Sequence, residues 1–132
     1  MTATVRSVLP RPSFVSVLLR LEAGLLLVAA VTAYAFLGQS WWLFAALILA
    51  PDLALLAYLR GPKPGAWAYD AAHTTIVPVL LGVAGYFLGS PLVMGLAAIW
   101  IAHIGLDRLV GYGLKFPGDP KDNHLSRLTT MA

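Results

Sequence analysis

The segment AAIWIAHIGLDRLVGYG, residues 97–113, places His103, Asp107 and Arg108 inside an apolar run. His103 and Asp107 are four residues apart, so on a helix they share a face. Asp70 and His73 are three apart and share a face in the same way. Glu22 and Asp52 interrupt two further apolar runs. Imidazole and carboxylate together suit Zn²⁺, Mn²⁺ or Fe²⁺. A metal held by such a set acidifies water or polarises a carbonyl or phosphoryl oxygen, and a leftover carboxylate can act as general base. The candidate metal ligands are therefore His73, His103, Asp107 and Asp70. The candidate catalytic groups are Asp52, Glu22 and His124, the last in the tail segment DNHLSR. Arg108 and Arg20 are candidate contacts for a phosphate or lipid headgroup; snorkelling to the membrane surface is the alternative for both.

The elements that must position these groups are apolar throughout. Of 132 residues, 59% are hydrophobic and 11% charged, and the mean hydropathy is +0.79. A soluble domain carries about a quarter charged residues, so this chain belongs in a membrane. Four runs, 14–37, 41–59, 67–88 and 91–112, each approach the roughly 20 residues a helix needs to cross the hydrocarbon core. The breaks LGQS, RGPKPG and LGS are short, which forces each helix to run antiparallel beside its predecessor. The expected fold is all-α, a four-helix up-down-up-down transmembrane bundle over residues 14–112. Residues 1–13 form a cytoplasmic N-terminal segment and 113–132 a cytoplasmic tail. The first run imitates a signal peptide, but Arg20 and Glu22 interrupt it, and it is read as a span.

Charge sets the orientation. Arg6, Arg11, Arg60, Lys63, Lys115, Lys121 and Arg127 all fall on the side that holds the N-terminus, the 60–65 loop and the tail. The other two loops carry no Lys or Arg. The positive-inside rule makes the charged side cytoplasmic, in an inner membrane, with both termini there. Counted from that side at 1.5 Å per residue, the ionisable groups lie about 5 to 14 Å deep. One layer in the cytoplasmic half thus receives a carboxylate from every helix and a histidine from two. Intramembrane charge costs at least about 2.5 kcal/mol per group, which makes a functional site the default reading. Pro51 and Pro78 add backbone carbonyls without their usual helical donor, or simple kinks.

Several stretches together resemble a bacterial family of small membrane proteins, domain of unknown function 4260. They are LLRLEA, SWWLFA, PDL, YDAAHT followed by Pro78, WIAHIGLDRLVGYGLKFP and the late HL, across about residues 17–127. Asp70 stands where the family pattern often has Asn after the tyrosine. The resemblance implies fold and location and brings no activity with it. The site inventory is also similar in kind to that of di-metal four-helix bundles, with D-x-x-H and H-x-x-x-D in place of their Glu-x-x-His pairs.

The leading expectation is an intramembrane metal-dependent hydrolase or lipid-modifying enzyme acting on a lipid-like substrate. The alternatives are a proton-linked transport component and a structural or assembly protein. Gly and Ala in the fourth run offer close-packing faces for a homo-oligomer. The chain has no cysteine, which excludes disulfides, thiolate nucleophiles and iron–sulfur clusters. It has no dense basic patch and no phosphate-binding loop, so nucleic acid is not an expected partner.

Overall fold

The computed structural model describes residues 13–117 and 122–130. The expected N-terminal segment through Pro12, with Arg6 and Arg11, lies outside the described residues, as does Lys121. The described chain is helical: α1 is Phe14–Leu37, α2 is Trp41–Leu47, α3 is Pro62–His73, α4 is Ile76–Phe87, α5 is Pro91–Val110 and α6 is His124–Thr130. Between α2 and α3 the residues Ala50–Arg60 form a 3-10 helix.

The long helices begin and end where local chemistry dictates. Ser13 and Ser90 accept from Ser16 N–H and Val93 N–H, capping α1 and α5. Gly38 and Gly111 end the same two helices in the left-handed conformation, at φ 67° and 106°.

Two apolar runs expected as single helices are interrupted. In the second, Pro51 has no N–H to give, and the helix tightens: Asp52 N–H donates to Leu49 O, three residues back, at 3.1 Å. In the third, helix starts early at Pro62 and breaks at Thr74, which is extended at φ −78°, ψ 142°. Pro78 disfavours a continuous helix there, because it cannot donate to Thr74 O.

Helix α5 is the hub, packing against α1, α2 and α4. Its buried face is Gly95, Ala97, Ala98, Ile99, Ala102, His103, Ile104 and Gly105. These are mostly small, so neighbouring backbones come close. A Cβ at Gly105 would sit 2.9 Å from Ala23 O and from Leu27 N in α1. Gly95 faces Tyr34 near the other end of α1, so the two helices run antiparallel. Gly82 meets Ala97 and Gly85 meets Met94, which makes α4 antiparallel to α5 as well. Tyr34 is fully buried with Ala98 and Ile99, and its hydroxyl donates to Ser40 O at 2.5 Å.

The outside is apolar. Phe36, Leu59, Phe87 and Leu25 are more than 70% exposed. Phe14–Leu37, Trp41–Arg60 and Pro91–Val110 are long and apolar enough to cross a membrane. The third run, 67–88, falls short as a single helix because of the Thr74 break.

The tail turns back on the body. Phe116 N–H donates to Asp122 O and His124 N–H to Leu114 O, each at 3.0 Å. Asn123 Oδ1 then accepts from Leu125 and Ser126 N–H and starts α6, which packs on α1 with Leu125 buried.

Candidate metal centre

The three elements around the break points bring four side chains to one place. Asp52 comes from the 3-10 helix, His73 from the last residue of α3, and His103 and Asp107 from successive turns of α5. His73 Nε2 lies 3.1 Å from His103 Nε2, 3.2 Å from Asp52 Oδ1 and 3.3 Å from Asp107 Oδ2. His103 Nε2 lies 3.2 Å from each of the same two oxygens. All four atoms are within 4.8 Å of one another.

Backbone carbonyls settle which ring nitrogen carries the proton. His73 Nδ1 donates to Tyr69 O at 2.8 Å, and His103 Nδ1 donates to Ile48 O at 2.5 Å. A carbonyl oxygen only accepts, so each neutral ring holds its proton at Nδ1 and turns a bare Nε2 lone pair inward. Two such lone pairs and two carboxylate oxygens then face each other with no donor among them. A cation between them, or protons taken up at Nε2, would relieve the conflict. The spacing fits: tetrahedral bonds of about 2.0–2.1 Å separate ligand atoms by about 3.3–3.4 Å. A carbonyl on the far ring nitrogen is also how metal-bound histidines are usually oriented.

The helix breaks make those orienting bonds available. In a regular α-helix Ile48 O would accept from Asp52 N–H, which here goes to Leu49 O instead. Ile48 O is thereby left to His103. At the Thr74 break, Ala72 O accepts from Trp100 Nε1 at 2.5 Å and His73 O from Arg108 Nη2 at 3.3 Å. So α5 supplies two of the four inward atoms and also fastens the open end of α3.

Burial grades the four groups. The side chains of His103 and His73 are 1% and 4% exposed and that of Asp107 18%, whereas Asp52 is 39% exposed. Asp52 is the open wall of the centre. Behind His73 the Tyr69 ring stacks at 3.7 Å between centroids, with Lys115 Nζ 4.5 Å from the tyrosine centroid.

The remaining sequence candidates divide between the centre and places outside it. Asp52, expected as a catalytic group, belongs with the four converging donors. Asp70, expected as a ligand, instead accepts from Lys115 N–H at 2.6 Å and anchors the returning tail. Glu22 is exposed on α1 and lines a separate cavity of about 290 Å³ with Thr75, Arg108 and His124. Arg20 Nε caps α5 by donating to Leu109 O at 2.8 Å. Tyr69 and Trp100 were not among the candidates. Tyr69 had a readable signal, since it precedes His73 by four residues on one helix face. Trp100 had none, because its partner Ala72 O is freed only by the helix break.

His124 folds back, but onto the 113–115 loop: its Nδ1 accepts from Leu114 N–H at 2.8 Å. Burial, aided by the Arg108 guanidinium, pushes this imidazole below its usual 6.5. The neutral ring is therefore the docked form. Its contribution to docking is fully present above about pH 6.5 and is lost as the pH falls below that value. Hydrogen exchange at Leu114 and along α6, corrected for intrinsic rates, should show less protection at pH 5.5 than at 7.5. His124→Asn should flatten that difference; protection independent of pH in the wild type would refute the role.

The family model described as "Domain of unknown function (DUF4260)" matches residues 16–128. No curated protein and no solved structure matches the chain. The chain belongs to the DUF4260 family, in agreement with the resemblance carried by its motifs.

Proposed function

We propose that the protein is a multi-pass inner-membrane metalloprotein whose Asp52–His73–His103–Asp107 centre acts on a lipid-like substrate as a hydrolase or related lipid-modifying enzyme. Four spans cross in up-down-up-down order, with α3 and α4 as one broken span and both termini cytoplasmic. The observation that carries the metal is the set of five donor–donor distances between 3.1 and 3.3 Å around inward lone pairs. Two imidazoles and two carboxylates suit Zn²⁺ first, and Mn²⁺ or Fe²⁺ with added ligands.

Turnover needs a place for substrate, and the exposed Asp52 supports one. Its carboxylate, the most exposed of the four, would serve as a general base toward a substrate at the centre. A metal held here supplies Lewis acidity toward a carbonyl or phosphoryl oxygen. Arg108, half-buried at the neighbouring cavity with Glu22 and His124, is positioned for a phosphate.

One observation favours a second reading. Four protein ligands make a closed set, which is the habit of structural zinc, and they tie three elements together. In that case the ion is a staple and no substrate turns over.

The test is elemental mass spectrometry on protein purified in mild detergent without chelator, beside a His73→Ala/His103→Ala variant. The expected result is about one equivalent of Zn, Mn or Fe, reduced to a trace in a variant that stays folded. Absence of metal from the wild type after attempted reconstitution sinks the metal centre. Metal without hydrolysis across a lipid ester and phosphoester panel favours the staple.

A further inference from the structure

A cavity of about 430 Å³ lies beside the metal centre, lined by Leu47, Ala50, Pro51, Ala54, Ala72, Leu81, Leu96, Ile99 and Trp100. Its size falls within the usual range of ligand pockets, about 300–1,000 Å³. Its lining is predominantly apolar, with no ionisable side chain. Polar groups on the wall are already engaged: Trp100 Nε1 is bonded to Ala72 O.

Three residues of the cavity wall neighbour the centre's side chains in the sequence. Pro51 precedes Asp52, Ala72 precedes His73, and Ile99 lies one turn from His103 on α5. The same two helix breaks that aim the ligands thus shape the cavity wall. Small residues, Ala50, Ala54 and Ala72, leave the space open.

We infer that this cavity seats a single unbranched acyl or alkyl chain whose polar end reaches the Asp52–His73–His103–Asp107 centre. The inference rests on the proposed metal centre for its chemistry and names the substrate class of that site: a single-chain amphiphile. A polar or charged ligand would lose its hydration in the cavity without gaining a partner. An alkyl chain packs against side chains of five elements, and Asp52, the exposed member of the centre, follows Pro51 of the cavity wall in the chain.

The test follows the chain and the metal separately. Trp41, Trp42 and Trp67 are replaced by Phe in the full-length protein, which leaves Trp100, in the cavity wall, as the only indole. The protein in nanodiscs is titrated with 11-bromoundecanoic acid, whose bromine quenches a nearby indole. Quenching should saturate at about one equivalent and be reversed by undecanoic acid. Ala54→Phe and Ala50→Leu fill the space without touching the ligands, and each should weaken binding by at least about tenfold. Quenching that rises linearly with added acid, equally in both filled variants, would mean the chain sits only in the bilayer and would overturn the inference. Metal content is measured on the same samples. Saturable quenching without metal supports the seat while removing the metal reading; metal without saturable quenching does the reverse.

Discussion

Stripping divalent metal with a strong chelator should lower the melting temperature of the detergent-solubilised protein by about 12–20 °C. A ligand present at a thousandfold excess over its dissociation constant stabilises the folded state by about 4 kcal/mol. For a domain of this size each kcal/mol corresponds to about 3–5 °C. The effect has a structural cause in addition to mass action. Without an ion, two inward lone pairs and two carboxylates are left facing each other, and the three elements that carry them lose their common tie. The His73→Ala/His103→Ala variant should melt at the same temperature with and without chelator. Equal melting of the wild type under both conditions would show that the four donors share protons or water in place of a metal.

The second large effect separates the two carboxylates. Asp107→Asn should weaken metal binding by more than about 100-fold, because even loss of an outer-shell partner costs 10–100-fold. Asp52→Asn should cost less, since water can take a ligand place whose side chain is already 39% exposed. Competition against a chromophoric chelator measures both. Hydrolysis should respond in the opposite order once each variant is saturated with metal, because Asp52 is the group placed to serve as base. Equal affinities for the two variants would mean that Asp52 is held as firmly as Asp107 and that the centre has no open wall.

How much of this could be read from the chain varies residue by residue. The α5 pair was fully legible, because a four-residue spacing on an uninterrupted helix fixes a shared face. His73 was legible by type and depth, yet its three-residue partner Asp70 turns to the Lys115 backbone. That turn depends on the tail coming back over α3, a contact between residues 45 positions apart. Asp52 carried the right chemistry but no readable direction. The shift from 3.6 to 3.0 residues per turn after Pro51 rotates every later side chain relative to an α-helical reading. For Glu22 the position along α1 was legible and the facing was not. The buried stripe of α1 contains Ser16, Ala23 and Ala30, spaced by sevens, and Glu22 lies just off it. The prolines signalled that backbone carbonyls would be released. Which side chains would collect them depended on packing between elements.

The four donors also impose an order in time. They occur at positions 52, 73, 103 and 107, and Ile48 O, which orients His103, is made more than fifty residues before its partner. While the chain is being synthesised, Asp52 and His73 wait without half of their set, and no length short of residue 103 holds more than two of the four. The centre becomes able to capture an ion only when the segment ending at Val110 has joined the segments before it. On the proposed function, metallation would report that assembly is finished, and a chain truncated before residue 103 would hold only two of the four donors.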